Sequence, residues 1–157
     1  MQIRSAREED LQTVLSLLNE VTLDLYQKGI YQWDYPWEEK RVLSQINNQH
    51  LYVLLTEGHQ IAGTFCVSEI HKINDLPVEA NSKYLSQIAV SPKLQGMKFG
   101  SKIIQFACSL AEETDKTLYL DCWAGNDKLK AFYTSNGLTY TGDFPEEDYR
   151  ISIFKYN

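Results

Sequence analysis

The stretch Leu85–Ala111 most constrains the fold, because it has the pattern of a strand, a short loop and an amphipathic helix in direct succession. The strand pattern stops at Ser91-Pro92, where proline cannot donate a hydrogen bond to a sheet. After Gln95–Gly100, apolar residues recur at helical spacing. A loop that leads directly into a helix presents unpaired N–H groups and the positive end of the helix dipole, which together favour a phosphate. The same pattern is also typical of glycine-containing turns that have only a structural role.

Periodicity along the rest of the chain predicts the element order β-α-α-β-β-β-α-β-α-β-β. This order is typical of an α/β fold with a mixed sheet flanked by helices. Gln2–Ala6 is predicted to form a short edge strand, and the polar segment Glu69–Lys83 is predicted to be a loop. The length of 157 residues suits one compact domain, residues 1–157.

Charge and cysteine content restrict the class of partner. A formal net charge of −6 argues against nucleic acid or an anionic membrane as the main partner, and it is compatible with a cationic substrate such as an amine. Cys66, Cys108 and Cys122 are widely spaced, which favours buried thiols over disulfides or a metal site. The chain shows no basic-then-apolar leader and no run of membrane-spanning length, so we expect a cytoplasmic protein that binds no metal.

Two motifs in this chain, taken in order, resemble those of the GNAT superfamily of N-acetyltransferases. The first is Gln95-x-x-Lys98-x-Gly100, which is similar to the family's acyl-CoA pyrophosphate loop, Gln/Arg-x-x-Gly-x-Gly/Ala. Lys98 stands where the family usually has glycine. The second runs from Asn126 to Gly137 and resembles the family's Asn…Ala-x-x-Tyr…Gly-Phe segment. The resemblance covers nearly the whole chain and implies a GNAT-like, mostly antiparallel central sheet.

The resemblance also implies that main-chain groups bind acetyl-CoA as the cofactor. Groups of Ile88–Val90 would line the pantetheine arm, N–H groups of Gln95–Ser101 would hold the pyrophosphate, and Asn126 would contact the arm or simply cap a helix. We expect helical φ/ψ at Lys98, where lysine fits without strain and adds a counter-charge to the phosphate. The implied cofactor-binding residues are Ile88, Ala89, Val90, Gln95, Gly96, Met97, Lys98, Phe99, Gly100, Ser101 and Asn126.

Acetyl transfer from a thioester to an amine needs a neutral amine, stabilisation of the developing oxyanion and a proton for the leaving thiolate. Tyr133 matches the family's tyrosine that protonates this thiolate; the alternative is a tyrosine that packs on a helix face. Glu69 is the first candidate for the general base, with a solvated carboxylate as the alternative. Tyr84 and Gln87 could orient a water molecule near the substrate.

The aromatic segment Gly29–Trp37 lies between the first two predicted helices. It is either a packed connector or a wall of the substrate pocket, because the corresponding segment borders the acceptor site in the family. Its Gly-x-x-Gln-Trp run is similar to one found in many bacterial members. Trp33 and Tyr31 are therefore candidate substrate-binding residues.

The resemblance implies an acetyl-CoA-dependent N-acetyltransferase that acts on a small amine, as a monomer or a homodimer. A non-catalytic acyl-CoA-binding or sensing domain of the same fold is the alternative from another class. A purely structural α/β module is the third, and it predicts no binding of CoA. The presence of Tyr133 favours the enzyme, whereas Lys98 in the glycine position leaves the binding domain open.

Overall fold

The structure, a computed structural model, describes residues 2–73, 76–94 and 98–157. Two short 3-10 helices, Glu8–Asp10 and Pro92–Leu94, accompany the main elements. The α-helices are α1 (Leu11–Gln27), α2 (Glu39–Asn47), α3 (Phe99–Glu113) and α4 (Asp127–Ser135). The strands are β1 (Gln2–Ser5), β2 (Leu51–Leu55), β3 (Ile61–Ile73), β4 (Leu76–Val90), β5 (Leu118–Trp123), β6 (Thr139–Glu146) and β7 (Tyr149–Tyr156). The element order predicted from periodicity is confirmed.

Within the described ranges the strands form one seven-stranded sheet in the order β1-β2-β3-β4-β5-β7-β6. The pairs β1–β2, β2–β3, β5–β7 and β6–β7 are antiparallel. Strand β4 pairs with β5 in parallel, at Lys83↔Leu118 and Tyr84↔Tyr119. The predictions of an edge position for β1 and of a mixed, mostly antiparallel sheet in an α/β fold are therefore confirmed. That the chain is a single domain stays a prediction.

The prediction of a loop over Glu69–Lys83 is wrong, because β3 continues to Ile73 and β4 begins at Leu76. Polar residues dominate this stretch and hide the strand pattern. Its sparse apolar residues nevertheless pack on one cluster: Ile73 is buried with Tyr119, Ile151 and Ile153, and Ile70, Val78 and Tyr84 lie against it. These apolar contacts hold the two strands on this cluster, although most residues of the stretch are polar.

Contacts between residues divide the chain into two compact units. The first unit comprises Met1–Cys66 and Gln87–Ile103, and the second comprises Val67–Ser86 and Ile104–Asn157. In the first unit the apolar face of α1 and the inner residues of α2 and β2 form the core, with Val14, Leu18 and Val42 fully buried. In the second unit the cluster around Ile153 forms a core of its own.

All three cysteines are free and buried, as the sequence predicts. Burial raises the pKa of Cys66 to about 12 and the pKa values of Cys108 and Cys122 to about 11. The thiols therefore stay protonated at neutral pH, which makes them poor nucleophiles. In the ranges that the structure describes, no helix is both long enough and apolar enough to cross a membrane.

Candidate functional site

In the first unit, the end of β4 packs closely against β3. A Cβ built on Gly63 would lie 3.0 Å from the carbonyl oxygen of Ala89, so the side chain missing at Gly63 permits this approach. One residue pair further, the Ser91 N–H donates to the Ala62 carbonyl at 2.8 Å. Ala89 is buried, while Ile88 and Val90 are half-buried. These contacts fix the backbone of residues 88–90, the stretch predicted to line the pantetheine arm.

The predicted phosphate loop leads into α3, which begins at Phe99. Gln95, Gly96 and Met97 lie outside the described residues, whereas Lys98–Ser101 are described. Lys102 N–H donates to the Lys98 carbonyl at 3.3 Å, so the N–H groups of the three residues between them lie in the first turn of α3. N–H groups in the first turn of a helix, with an exposed lysine beside them, form a set of donors that fits a phosphate group.

The expectation of helical φ/ψ at Lys98 is wrong, because its φ is +65°. Lys98 precedes the first helical residue and occupies the left-handed region, which glycine adopts at little cost. An L residue in this conformation brings its Cβ close to the backbone, which costs about 1–2 kcal/mol. Lysine at this position is therefore strained, whatever its charge contributes.

The aromatic segment of the first unit is fixed on α1 through Trp37. The Trp37 backbone N–H donates to Asn19 Oδ1, and its indole Nε1 donates to Thr22 Oγ1, each at 2.9 Å. The Trp33 ring meets Trp37 edge-on, with ring centroids 5.4 Å apart. Trp37 is thus a packed core residue, as the connector interpretation requires.

The two candidate substrate-binding residues of this segment remain accessible. Trp33 is half-buried, and its carbonyl accepts a hydrogen bond from the Tyr26 hydroxyl. Tyr31 is 74% exposed and lies against the ring of Tyr26, with centroids 5.1 Å apart. Both candidate substrate residues therefore present aromatic surface on a backbone held by α1, so both interpretations of the segment keep support.

Gln87 does not have a free side chain that could simply orient a water molecule. Its amide and that of Gln45 exchange two hydrogen bonds, at 2.7 and 3.1 Å. Arg41 Nη2 lies 3.4 Å from Gln87 Oε1. The amide of Gln87 is therefore engaged by α2.

In the second unit, α4 begins at the second predicted motif. Asn126 caps the helix, since its side-chain oxygen accepts a hydrogen bond from the Leu129 N–H at 3.1 Å. Tyr133 is only 5% exposed, and its ring meets Phe154 edge-on at 5.4 Å. Burial raises the pKa of the Tyr133 phenol, and the neighbouring Cys122 and Asp121 add to the shift. Its hydroxyl is consequently protonated at neutral and moderately alkaline pH.

Asp121 is a functional candidate that the sequence interpretation missed. The Tyr84 hydroxyl donates to Asp121 Oδ2 at 2.7 Å. Burial raises the pKa of the Asp121 carboxyl and the charge of Glu146 adds to this, against the opposing effect of the Tyr84 hydrogen bond. The available signal was the alternation of β5, where Asp121 shares a face with Tyr119. That face is not exposed, because Tyr119 is buried.

Glu69 has a different environment from Asp121. Its carboxylate lies 3.0 Å from Lys116 Nζ and 3.7 Å from Lys83 Nζ, and its side chain is 47% exposed. The hydrogen bond from Lys116 is the main cause that lowers the Glu69 pKa. A carboxylate stabilised in its ionised form is a weaker proton acceptor.

Comparison with known proteins gives one family match and many structural matches. The family model described as "Acetyltransferase (GNAT) family" matches residues 18–138. No curated protein sequence matches the chain.

Three solved structures illustrate the structural likeness. A GNAT family acetyltransferase from Streptococcus agalactiae 2603 is 20% identical, over 98% of this chain and 93% of that one, with a TM-score of 0.81. The putative acetyltransferase yncA from Salmonella typhimurium, solved with its cofactor acetyl-CoA, is 16% identical over 100% and 93%, with a TM-score of 0.78. A ribosomal-protein-alanine N-acetyltransferase from Brucella melitensis is 20% identical over 99% of each chain, with a TM-score of 0.77. At these identities the likeness establishes the fold.

The left-handed conformation of Lys98 makes a direct prediction about stability. Lys98→Gly should raise the free energy of unfolding by up to about 1 kcal/mol, because glycine adopts φ +65° without the Cβ penalty but has more freedom in the unfolded chain. The measurement is urea denaturation at constant m-value.

Lys102→Gly is the matched control, since Lys102 lies inside α3, where glycine costs about 1 kcal/mol. The two substitutions should therefore change stability in opposite directions. Equal destabilisation by both would contradict the left-handed assignment of Lys98.

Proposed function

Because the chain belongs to the acetyltransferase (GNAT) family, we propose that it is an acetyl-CoA-dependent N-acetyltransferase that acts on a small-molecule amine. The observation that carries this proposal is Tyr133. Its phenol is buried, is kept protonated by its surroundings and stands on α4 within the second motif. A protonated phenol is the group that an acetyl transfer needs for its leaving thiolate.

Members of this family use acetyl-CoA, and the Salmonella typhimurium relative was solved with it. The cofactor supplies an activated acetyl thioester. In this chain we assign the pantetheine arm to the backbone of residues 88–90 and to Asn126. We assign the pyrophosphate to the N–H donors of Lys98–Ser101, with the preceding residues 95–97 predicted to contribute. These assignments rest on the fixed backbone at Ala89 and on the N–H groups in the first turn of α3.

The reaction forms a bond from the amine nitrogen to the acetyl carbon and breaks the carbon–sulfur bond. The ammonium form of the substrate must first lose a proton, because amines have a pKa near ~10. We assign the removal of this proton to the Tyr84–Asp121 pair, with Asp121 as the acceptor. The pKa of the Asp121 carboxyl is raised, and the Tyr84 phenol is hydrogen-bonded to it. Tyr133 then protonates the departing sulfur and is restored by solvent. The nitrogen loses a second proton as the amide forms. The sulfur takes one proton from Tyr133, and the overall reaction yields the amide, the free thiol and one proton released to solvent.

We assign the acceptor to the aromatic segment, with Trp33 and Tyr31 as its contacts. Accessible aromatic faces suit an amine because a cation or its alkyl chain packs well on a ring. The net charge of −6 also suits a cationic substrate. The substrate named for the Brucella melitensis relative is a ribosomal-protein alanine; here we propose a small amine.

The test is a screen of amines with acetyl-CoA, following release of the free thiol, together with thermal unfolding in acetyl-CoA. Acetyl-CoA should raise the melting temperature by mass action, and at least one amine should release CoA. A raised melting temperature with no acceptor across polyamines, amino acids and aminoglycosides would favour the non-catalytic binding domain. No shift at millimolar acetyl-CoA would contradict the cofactor assignment as well.

Tyr133→Phe tests the general acid. The substitution keeps the ring packed on Phe154 and removes only the hydroxyl, so folding and the KM for acetyl-CoA should change little. A general acid contributes ~10²–10⁴-fold. Since a thiol is already a fair leaving group, we expect kcat to fall by about ten- to a thousandfold. Steady-state kinetics on the amine found in the screen measures this. Wild-type kcat with a rate-limiting chemical step would exclude Tyr133 as the donor.

Asp121→Asn tests the general base through the pH profile. The carboxylate accepts a proton only when ionised, so kcat/KM of the wild type should fall as the pH drops through the raised pKa of Asp121. Asp121→Asn should lower kcat/KM by ~10²–10⁴-fold and abolish this acid limb. Glu69→Gln should keep it, because the Glu69 pKa is lowered and the group stays ionised throughout. The reverse result would assign the base to Glu69, as the sequence predicts.

A further inference from the structure

Gln87 has an unusual backbone conformation for its position. Its φ is +55°, in the left-handed region that L residues rarely adopt. Among the described residues, the other non-glycine residues with positive φ lie in turns or beside helix ends: Gln49, His59, Lys98, Asp115 and Glu147. Gln87 instead lies within β4 (Leu76–Val90). A side chain in this conformation inside a strand is typical of a bulge and persists where neighbouring contacts hold it.

The contact that holds Gln87 is a pair of amide hydrogen bonds with Gln45. Gln45 Nε2 donates to Gln87 Oε1 at 2.7 Å, and Gln87 Nε2 donates to Gln45 Oε1 at 3.1 Å. Each amide thus donates one hydrogen bond to the other and accepts one from it. Arg41, one helical turn before Gln45, adds a longer contact of 3.4 Å to the same Gln87 oxygen.

Helix α2 gives this pair a fixed base. Its residues Val42 and Ile46 are buried in the core of the first unit. The Arg41 guanidinium lies over the Trp37 ring, 5.2 Å from its centroid. Because Trp37 is itself hydrogen-bonded to α1, Gln45 projects from a helix that cannot shift without disrupting the core.

We propose that Gln45 is a positioning residue for the cofactor: its amide holds Gln87 in the left-handed conformation and so sets the direction of residues 88–90. The proposal rests on the proposed function, in which the backbone of these residues lines the pantetheine arm. The Ala89 and Ser91 contacts with β3 fix the far end of this stretch, and the amide pair fixes its near end. A backbone fixed at both ends binds a ligand without the entropic cost of ordering itself.

Gln45→Ala is the central test. It should raise the KM for acetyl-CoA by about three- to tenfold, the effect of losing one or two hydrogen bonds, with a smaller change in kcat. In the protein without cofactor, hydrogen exchange at the amides of residues 88–90 should become faster. Gln45→Glu keeps an acceptor for the Gln87 amide and should give an intermediate KM. This variant also replaces Gln45→Ala in the comparison if the alanine variant fails to fold.

Gln12→Ala is the matched control. Gln12, on α1, donates through Nε2 to Glu39 Oε1 of α2 at 3.1 Å, in an exposed position. The Gln12→Ala substitution removes the same kind of side chain and one hydrogen bond to α2. It should nevertheless leave the KM for acetyl-CoA and hydrogen exchange at residues 88–90 unchanged. Gln87→Gly completes a double-mutant cycle, since Gln45→Ala should add no further increase in KM once the Gln87 amide is absent.

The failure of this proposal and the failure of the proposed function give different results. A wild-type KM and unchanged hydrogen exchange in Gln45→Ala, in a protein that binds acetyl-CoA, would overturn the positioning role alone. An equal effect of Gln12→Ala would overturn it too, because the loss would then reflect α2 as a whole. A wild-type protein that does not bind acetyl-CoA would overturn the proposed function and this inference with it.

Discussion

Buried polar side chains constrain this structure, because each one must find a partner or change its protonation state. Thr22 shows the first solution. It is 1% exposed, it accepts from the Trp37 indole, and its own hydroxyl donates to the Leu18 carbonyl at 2.7 Å. One hydroxyl thus connects the aromatic segment to the backbone of α1. The position of Trp33 depends on this connection, since its ring rests on Trp37.

In the second unit, Tyr84 and Asp121 are partners in a hydrogen bond, and burial also favours their protonated forms. The phenol and the carboxylate are hydrogen-bonded to each other, and burial still raises the pKa of both groups. A strand residue with an ordinary environment, such as the exposed Glu69, has its pKa lowered by neighbouring lysines instead. Two carboxylates of the same unit are therefore shifted in opposite directions, and burial is the physical cause that separates them.

The parts of the fold that sequence predicts are those with local causes. Helical spacing predicts α1 and α3, an amide at a helix start predicts the cap at Asn126, and proline predicts the end of β4. The local sequence could not show whether residues 69–83 form a loop or a strand, because the strand structure there is held by apolar contacts to β5 and β7. The motif gave Tyr133 its place on α4. It could not give the hydroxyl's environment, which depends on neighbours from β5 and β7.

Long-range partners explain the remaining failures. Nothing in the sequence around Gln87 indicates a left-handed residue, because its partner Gln45 lies 42 positions away. Lys98 is expected from the sequence to be helical because the helix pattern starts there, whereas α3 begins one residue later, at Phe99, and Lys98 is left-handed. Asp121 seemed to belong to a polar face, because alternation does not reveal that a strand has neighbours covering both faces.

Burial also gives the proposed chemistry its working range of pH. Burial disfavours the charged form of any acid, so it raises the pKa values of Asp121 and Tyr133 together. For the carboxyl this shift moves the pKa towards neutral pH, which makes the carboxylate a better proton acceptor there. For the phenol it moves the pKa further from neutral pH, which keeps the hydroxyl protonated and therefore able to donate. In the proposed function, burial therefore suits Asp121 to accept a proton and Tyr133 to hold one.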